Sequence, residues 1–188
     1  MFEADGLLLT PRVQTRLGLG LLVFTVSIAL LGGVFGILGA FFQEIRSYNL
    51  LLPFAGGPMI EEAMKPAGVY LLLLRWPQLL RGRIHIAVLA ALGGIAFGLV
   101  ESLVYVKVYV DDPSSSFILY RFTVTIALHA IASFTVGLGL SRTMVDWANG
   151  TAKFPKRTRK FYVYGVLIHA AYNIAVTILS LTGDLRFD

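Results

Sequence analysis

Several stretches of this chain are apolar for close to the length that crosses a lipid bilayer. No other feature constrains the fold as strongly. Crossing about 30 Å of hydrocarbon takes roughly 20 apolar residues, and runs of that order fall at about 17–42, 58–76 (or from 50), 84–108, 117–140 and 161–181. Lipid offers no hydrogen-bond partners, so each run must satisfy its own backbone as a helix. The expected fold class is all-α: a polytopic transmembrane helix bundle of about five spans. Composition agrees, since 56% of the 188 residues are hydrophobic and 14% are charged, against roughly 25% charged in soluble domains. A chain this short is expected to be one domain, 1–188. It has no cysteine, which excludes disulfides, thiolate metal sites and a cysteine nucleophile. The start, "MFEADGLLLTPRVQTR", lacks a basic opening and a small-residue cleavage site, so no cleavable signal peptide is expected.

The loops carry an orientation signal. Arg12 and Arg16 precede the first run, and Arg75, Arg81 and Arg83 flank the loop after the second. Arg142, Lys153, Lys156, Arg157, Arg159 and Lys160 fill the loop after the fourth. The alternate loops hold Arg46, Lys107 beside Asp111 and Asp112, and Arg186. Basic loops stay on the cytoplasmic side, so the amino terminus is expected inside and the carboxyl terminus outside. The net charge of +5 then reflects topology and attraction to anionic lipid; no nucleic-acid partner is expected. The first run, with Gly32, Gly33, Gly36 and Gly39 and no ionisable group, reads as a packing helix that others approach closely.

The other four runs each carry polar groups at depth. These are Glu61, Glu62 and Lys65; then Glu101; then Arg121 and His129; then His169 and Asn173. His85 is assigned to a loop. A charge at the bilayer centre costs ~2.5–3.5 kcal/mol on insertion scales, so such groups are kept where they face one another or a wet cavity. Counted from the span ends, they gather loosely between mid-bilayer and the outer face. His169 and Asn173, at i,i+4, share a helix face.

In "FAGGPMIEEAMKP", Gly-Gly breaks what precedes and Pro58 suits a first helical turn. Residues 50–57 then read as a re-entrant segment. Both acids would lie near a helix N-terminus, which favours negative charge. Lys65 is within reach of Glu61 (i+4) and Glu62 (i+3). Pro66 cannot donate to the Glu62 carbonyl and should bend the helix at the acids. Each item has a plainer reading: Glu61–Lys65 as a neutralised pair, Glu101–Arg121 as a structural ion pair, each histidine as a satisfied core group.

Taken in order, these residues resemble a known family. "EEAMK", "FGLVE", "RFTVTIALHA" and "HAAYN" are similar to the EExxK, FxxxE, Arg-then-His and HxxxN motifs of PrsW-type intramembrane proteases, within the wider superfamily of CAAX prenyl proteases and bacteriocin-processing enzymes. The resemblance covers about 58–175. It implies hydrolysis of a peptide bond of a membrane-anchored protein or peptide, in or near the plasma membrane of a prokaryote. By the same resemblance Glu61 and Glu62 are the water-activating group and its partner, and Glu101 and His129 are further site residues. His169 and Asn173 bind or polarise the scissile carbonyl, with Lys65 and Arg121 in support. A Ser stands at 102 where Asn is frequent in the family. The chemistry is sufficient, since a carboxylate can act as general base toward water and His and Asn can steady the oxyanion.

Serine, paired-aspartate and HExxH arrangements are absent: there is no GxSxG, and Gly183-Asp184 is not the paired-aspartate pattern. Whether a metal takes part divides two readings. His129, His169 and a glutamate (Glu61 or Glu101) would make a His₂Glu zinc site, and PrsW-type proteins have been labelled metalloproteases. Against that, three glutamates facing Lys65 and Arg121 leave one negative charge, which a divalent ion would overturn unless a cation snorkels away. The charge count favours no cofactor. A proton or cation relay in a small transporter, or a silent binding protein on the same scaffold, is the reading from another class.

Overall fold

The computed structural model describes residues 18–46 and 52–182. Among these, all regular structure is helical. Both termini lie outside the described residues, with Arg12, Arg16, Gly183, Asp184 and Arg186. Helix α1 runs Leu19–Arg46. A π-helical turn, Leu52–Gly56, leads into α2 (Gly57–Met64), followed by α3 (Ala67–Arg75). Helix α4 (Arg83–Val104) is prolonged by a π-helical turn, Tyr105–Tyr109. Helix α5 (Ser115–Tyr120) passes through a third π-helical turn, Arg121–Thr125, into α6 (Ile126–Gly137). A short α7 (Thr143–Ala148) precedes α8 (Lys156–Thr182). Among the described residues, four continuous helical stretches are long and apolar enough to cross a membrane: Leu19–Ala40, Arg83–Tyr109, Ser115–Gly137 and Lys156–Thr182.

The expected second span is not one helix. It breaks at Lys65–Pro66. Proline has no N–H for the preceding turn, and Pro66 sits at φ −80°, ψ 14° as the cap of α3. Its carbonyl accepts from the N–H groups of both Val69 and Tyr70, at 2.8 and 3.0 Å, which restarts the helix. Gly56-Gly57 does not stop the chain as expected. Gly56 keeps helical angles (φ −65°, ψ −42°), so the pair changes the helical register rather than breaking it. Of the expected re-entrant segment, residues 50 and 51 fall outside the described residues; 52–56 is the π-helical turn. Two smaller corrections concern loops. His85 lies in the first turn of α4 and accepts from the Arg81 N–H at 3.1 Å. The 141–160 connector contains α7, where Met144, Val145 and Trp147 give a short apolar run too brief to read as an element.

Helix α4 is the centre of the bundle. It packs on α1 to one side and α6 to the other, while α6 packs on α8 and α1 also covers α2 and α3. Small residues set these distances. A Cβ on Gly33 of α1 would overlap the Gly93 carbonyl oxygen of α4 and come within 2.7 Å of the Phe97 nitrogen. On the other face, a Cβ on Gly94 would overlap the His129 carbonyl oxygen of α6. Only hydrogen side chains allow these backbone contacts. The apolar core, with Val69, Leu72, Ile86, Leu89, Ala90 and Leu140, fills the end of the bundle near the 76–82 connector. Beyond it the interior turns polar, burying Glu62, Lys65, Ser102, Arg121, Thr125, His129, Ser133 and His169. Leu22, Leu31, Phe35, Leu38, Leu103 and Ile131 face outward. Apolar outside and polar inside is the arrangement that lipid requires.

Candidate active site

The broken helix delivers the first set of polar groups. At the α2–α3 break Lys65 turns into the bundle and is wholly buried, as is Glu62. The Lys65 ammonium meets Glu62 Oε1 at 2.6 Å and Glu61 Oε2 at 3.2 Å. It also lies 2.8 Å from His129 Nδ1 on α6 and 4.3 Å from the centre of the Phe97 ring on α4. The plain Glu61–Lys65 pair is therefore present, but as one edge of a larger network.

The second set comes from α4, the π-helical turn and α6. Arg121 Nη2 donates to Glu101 Oε2 at 2.8 Å, and His129 Nε2 meets the same oxygen at 2.9 Å. The π-helical turn widens the helix here and turns Arg121 and Thr125 inward; such turns recur at functional sites. Ser102 donates from Oγ to the Arg121 carbonyl at 2.8 Å, so the Ser at this motif position braces the turn. The Arg121 guanidinium stacks 4.0 Å from the Tyr105 ring. His129 thus joins the two halves of the cluster, with Lys65 on one ring nitrogen and Glu101 on the other.

Helix α8 supplies the third set. His169 Nδ1 lies 3.0 Å from Glu62 Oε1, its Nε2 lies 3.8 Å from Glu61 Oε2, and its ring meets His129 edge to face at 5.0 Å. Asn173 stands one turn further along, half-buried; its backbone carbonyl accepts from Thr177 Oγ1. Tyr172 hydrogen-bonds Tyr120 and, at 3.1 Å, Thr125, tying α8 to the π-helical turn. Ser133, one turn past His129, donates to Glu62 Oε2 at 3.2 Å. Phe97 is the aromatic of the "FGLVE" motif, whereas Ser133, Tyr105 and Tyr172 are not among the residues expected from sequence. Their spacing of four from His129 and from Glu101, and in Tyr172 the motif "HAAYN" itself, are the signals that mark them.

Partners assign the histidine tautomers. An ammonium only donates, so His129 Nδ1 accepts from Lys65 and its Nε2–H points at Glu101. His169 gives Nδ1–H to Glu62, leaving Nε2 as a bare acceptor. The two histidines therefore each rest one nitrogen on a carboxylate; the other faces the Lys65 ammonium in His129 and Glu61 in His169. Carboxylate support of this kind orients metal-binding imidazoles. Glu61 Oε2 is buried, with no hydrogen bond of adequate geometry despite its ion pair to Lys65. One ligand atom each from Glu61, His129 and His169 lies within 4.8 Å of the others. These residues fit a divalent ion by donor type and spacing, with the Lys65 ammonium competing for the same inward atoms. Glu101, the other glutamate named for such a site, instead engages Arg121 and His129. Lys65 does not snorkel away, being fully buried.

Fold and site together define a multi-pass membrane protein with an internal centre of glutamates, histidines, lysine and arginine. The profile of the family described as PrsW family intramembrane metalloprotease matches residues 13–185, and the chain belongs to that family. It is therefore a membrane protease, acting on a membrane-associated substrate in a lipid environment. No curated protein and no solved structure matches the chain.

Proposed function

We propose that this single-domain chain is an endopeptidase that cuts membrane-anchored proteins with a glutamate-activated water, between mid-bilayer and the extracytoplasmic face. The observation that carries it is the arrangement around Glu61. Its Oε2 is buried and without a hydrogen bond, opposite the bare Nε2 of His169. A water held between them donates one proton to Glu61 as the scissile carbonyl is attacked, and Glu61 later delivers that proton to the leaving amine. Glu62, wholly buried and bonded to Lys65, His169 and Ser133, holds the frame. Lys65 and Arg121 place positive charge where the oxyanion develops. Asn173 extends the donor face of α8 toward the carbonyl.

The inward histidine nitrogens favour a second reading. Glu61, His129 and His169 would hold a divalent ion, zinc by ligand type. When bound, such an ion supplies Lewis-acid polarisation and acidifies water. Lys65 must then yield the shared atoms. The two readings agree on Glu61 and differ in what it holds.

Cleavage of a single-span substrate in liposomes tests the function, and elemental analysis of the same sample divides the readings. The expected result is cleavage that Glu61→Gln abolishes. An unaltered protein that leaves every candidate substrate intact while moving protons or cations across the liposome would replace the protease mechanism with a transport one.

A further inference from the structure

Apart from the polar cluster, a cavity of about 390 Å³ opens between α3, α7 and α8. Its walls are almost entirely apolar: Ala63, Leu73, Leu74, Val136 and Val145 contribute, with Trp147 and Phe154 beside them. From Ala63 to Leu74 the lining follows the broken helix for eleven positions, about 16 Å at 1.5 Å per residue. That is close to one leaflet, half of the roughly 30 Å hydrocarbon core. Near the connector end, the Trp147 and Phe154 rings meet edge to face at 4.9 Å and remain 44% and 39% exposed. Tryptophan is enriched at the level of lipid headgroups, which suits Trp147 at this opening.

The charge beside this opening has one sign. Segment 141–160 carries Arg142, Lys153, Lys156, Arg157, Arg159 and Lys160 against Asp146 alone. Arg157 is partly engaged, donating to the Leu138 carbonyl at 3.2 Å, whereas Arg142, Lys153, Lys156 and Arg159 are exposed. Phe154 and Thr158, both lining residues, bracket Lys156 in the chain. We propose that the cavity binds one anionic phospholipid, with an acyl chain along α3 toward Ala63 and the phosphate against the basic 141–160 segment. Basic clusters at the membrane surface attract such headgroups. The one-signed charge beside the opening suits an anionic headgroup rather than an apolar substrate helix. Ala63 directly follows Glu62, so the chain end would brace the helix that carries both motif acids. The lipid site itself does not depend on the protease reading.

Tryptophan fluorescence provides the test. The chain has two tryptophans, Trp76 and Trp147, so Trp76→Phe leaves Trp147 in the cavity wall as the reporter. That variant is placed in phosphatidylcholine nanodiscs containing a fixed fraction of acyl-brominated phosphatidylglycerol or, separately, acyl-brominated phosphatidylcholine. The expected result is saturable quenching, several-fold stronger with brominated phosphatidylglycerol at equal fraction. Replacing Arg142, Lys153 and Lys156 by Gln should weaken that preference by on the order of 10²-fold in apparent affinity. Ala148→Phe, which narrows the cavity, should reduce quenching by both lipids. Equal quenching by the two lipids in the unneutralised protein would mean bulk bilayer contact only and would overturn the proposal. An undiminished preference after neutralisation would overturn the headgroup seat. Should Trp76→Phe fail to fold, native mass spectrometry of the unaltered protein replaces it: one retained phosphatidylglycerol supports the site, and loss of all lipid at the lowest activation energy rejects it.

Discussion

Glu61 and Glu62 are neighbours with opposite surroundings. Glu62 is wholly buried and accepts from Lys65, His169 and Ser133. Glu61 keeps 13% of its side-chain exposure and one oxygen without a hydrogen bond. Glu61→Gln should therefore cost activity alone, about 10²–10⁴-fold for a lost general base, with the melting temperature in detergent nearly unchanged. Glu62→Gln should cost both, because removing one partner of a buried ion pair costs roughly 3–5 kcal/mol. Equal melting temperatures for the two variants would contradict these separate roles. The metal question belongs to the same residues. If an ion is held, His129→Ala and His169→Ala should remove it in step with activity, since both lose a ligand. Asn173→Ala should slow cleavage and leave metal content unchanged. Lys65→Met, which removes the competing ammonium, should raise metal content at limiting zinc. Elemental analysis of purified protein reads all four variants, and zinc below one equivalent in fully active enzyme would reject the ion.

At the scale of elements, backbone contact between helices decides whether the residues meet. Gly94 of α4 touches the carbonyl of His129, and its missing Cβ would also lie 2.8 Å from Ser133 Oγ. Gly94→Ala should force α6 away, costing about 1–3 kcal/mol as overpacking. It should also cost activity on the order of 10²-fold, because small displacements of positioned groups are expensive. Gly20 is the control. Its Cβ would meet nothing within 4 Å, so Gly20→Ala in α1 should stabilise by up to about 1 kcal/mol through helix propensity. Thermal unfolding in a single detergent compares the two, and an equal effect would show that helix contact does not govern the site. The π-helical turn at Arg121–Thr125 has no comparable sequence signal. "RFTVT" reads as ordinary span, and only bonding to Ser102 and Tyr172 on neighbouring helices shows why the turn is wide there.

For the whole molecule, basic loops predict the amino terminus and the 141–160 segment inside and the 111–116 loop outside. The chain is naturally cysteine-free, so one introduced thiol reports sidedness. Ser115 is exposed in the first turn of α5, while neighbouring Ser114 caps that helix by accepting from the Phe117 N–H. Ser115→Cys should react with a membrane-impermeant maleimide in intact cells. Reaction only after permeabilisation would invert the orientation and move the site toward the cytoplasmic face. The sequence alone determined the all-helical membrane architecture, the presence of Glu61, Glu62, Lys65, Glu101, Arg121, His129 and His169 within its apolar runs, and the family. It could do so because lipid allows only helices at this hydrophobicity and makes every intramembrane charge conspicuous. What needed the tertiary structure was the wiring. Helical spacing offers Lys65 two acids, but only packing of α6 and α8 across Gly94 and the broken α2–α3 helix brings His129 and His169 to the same ammonium. The distinction between Glu61 and Glu62 is likewise a matter of which neighbours arrive from distant parts of the chain, and local pattern carries no record of them.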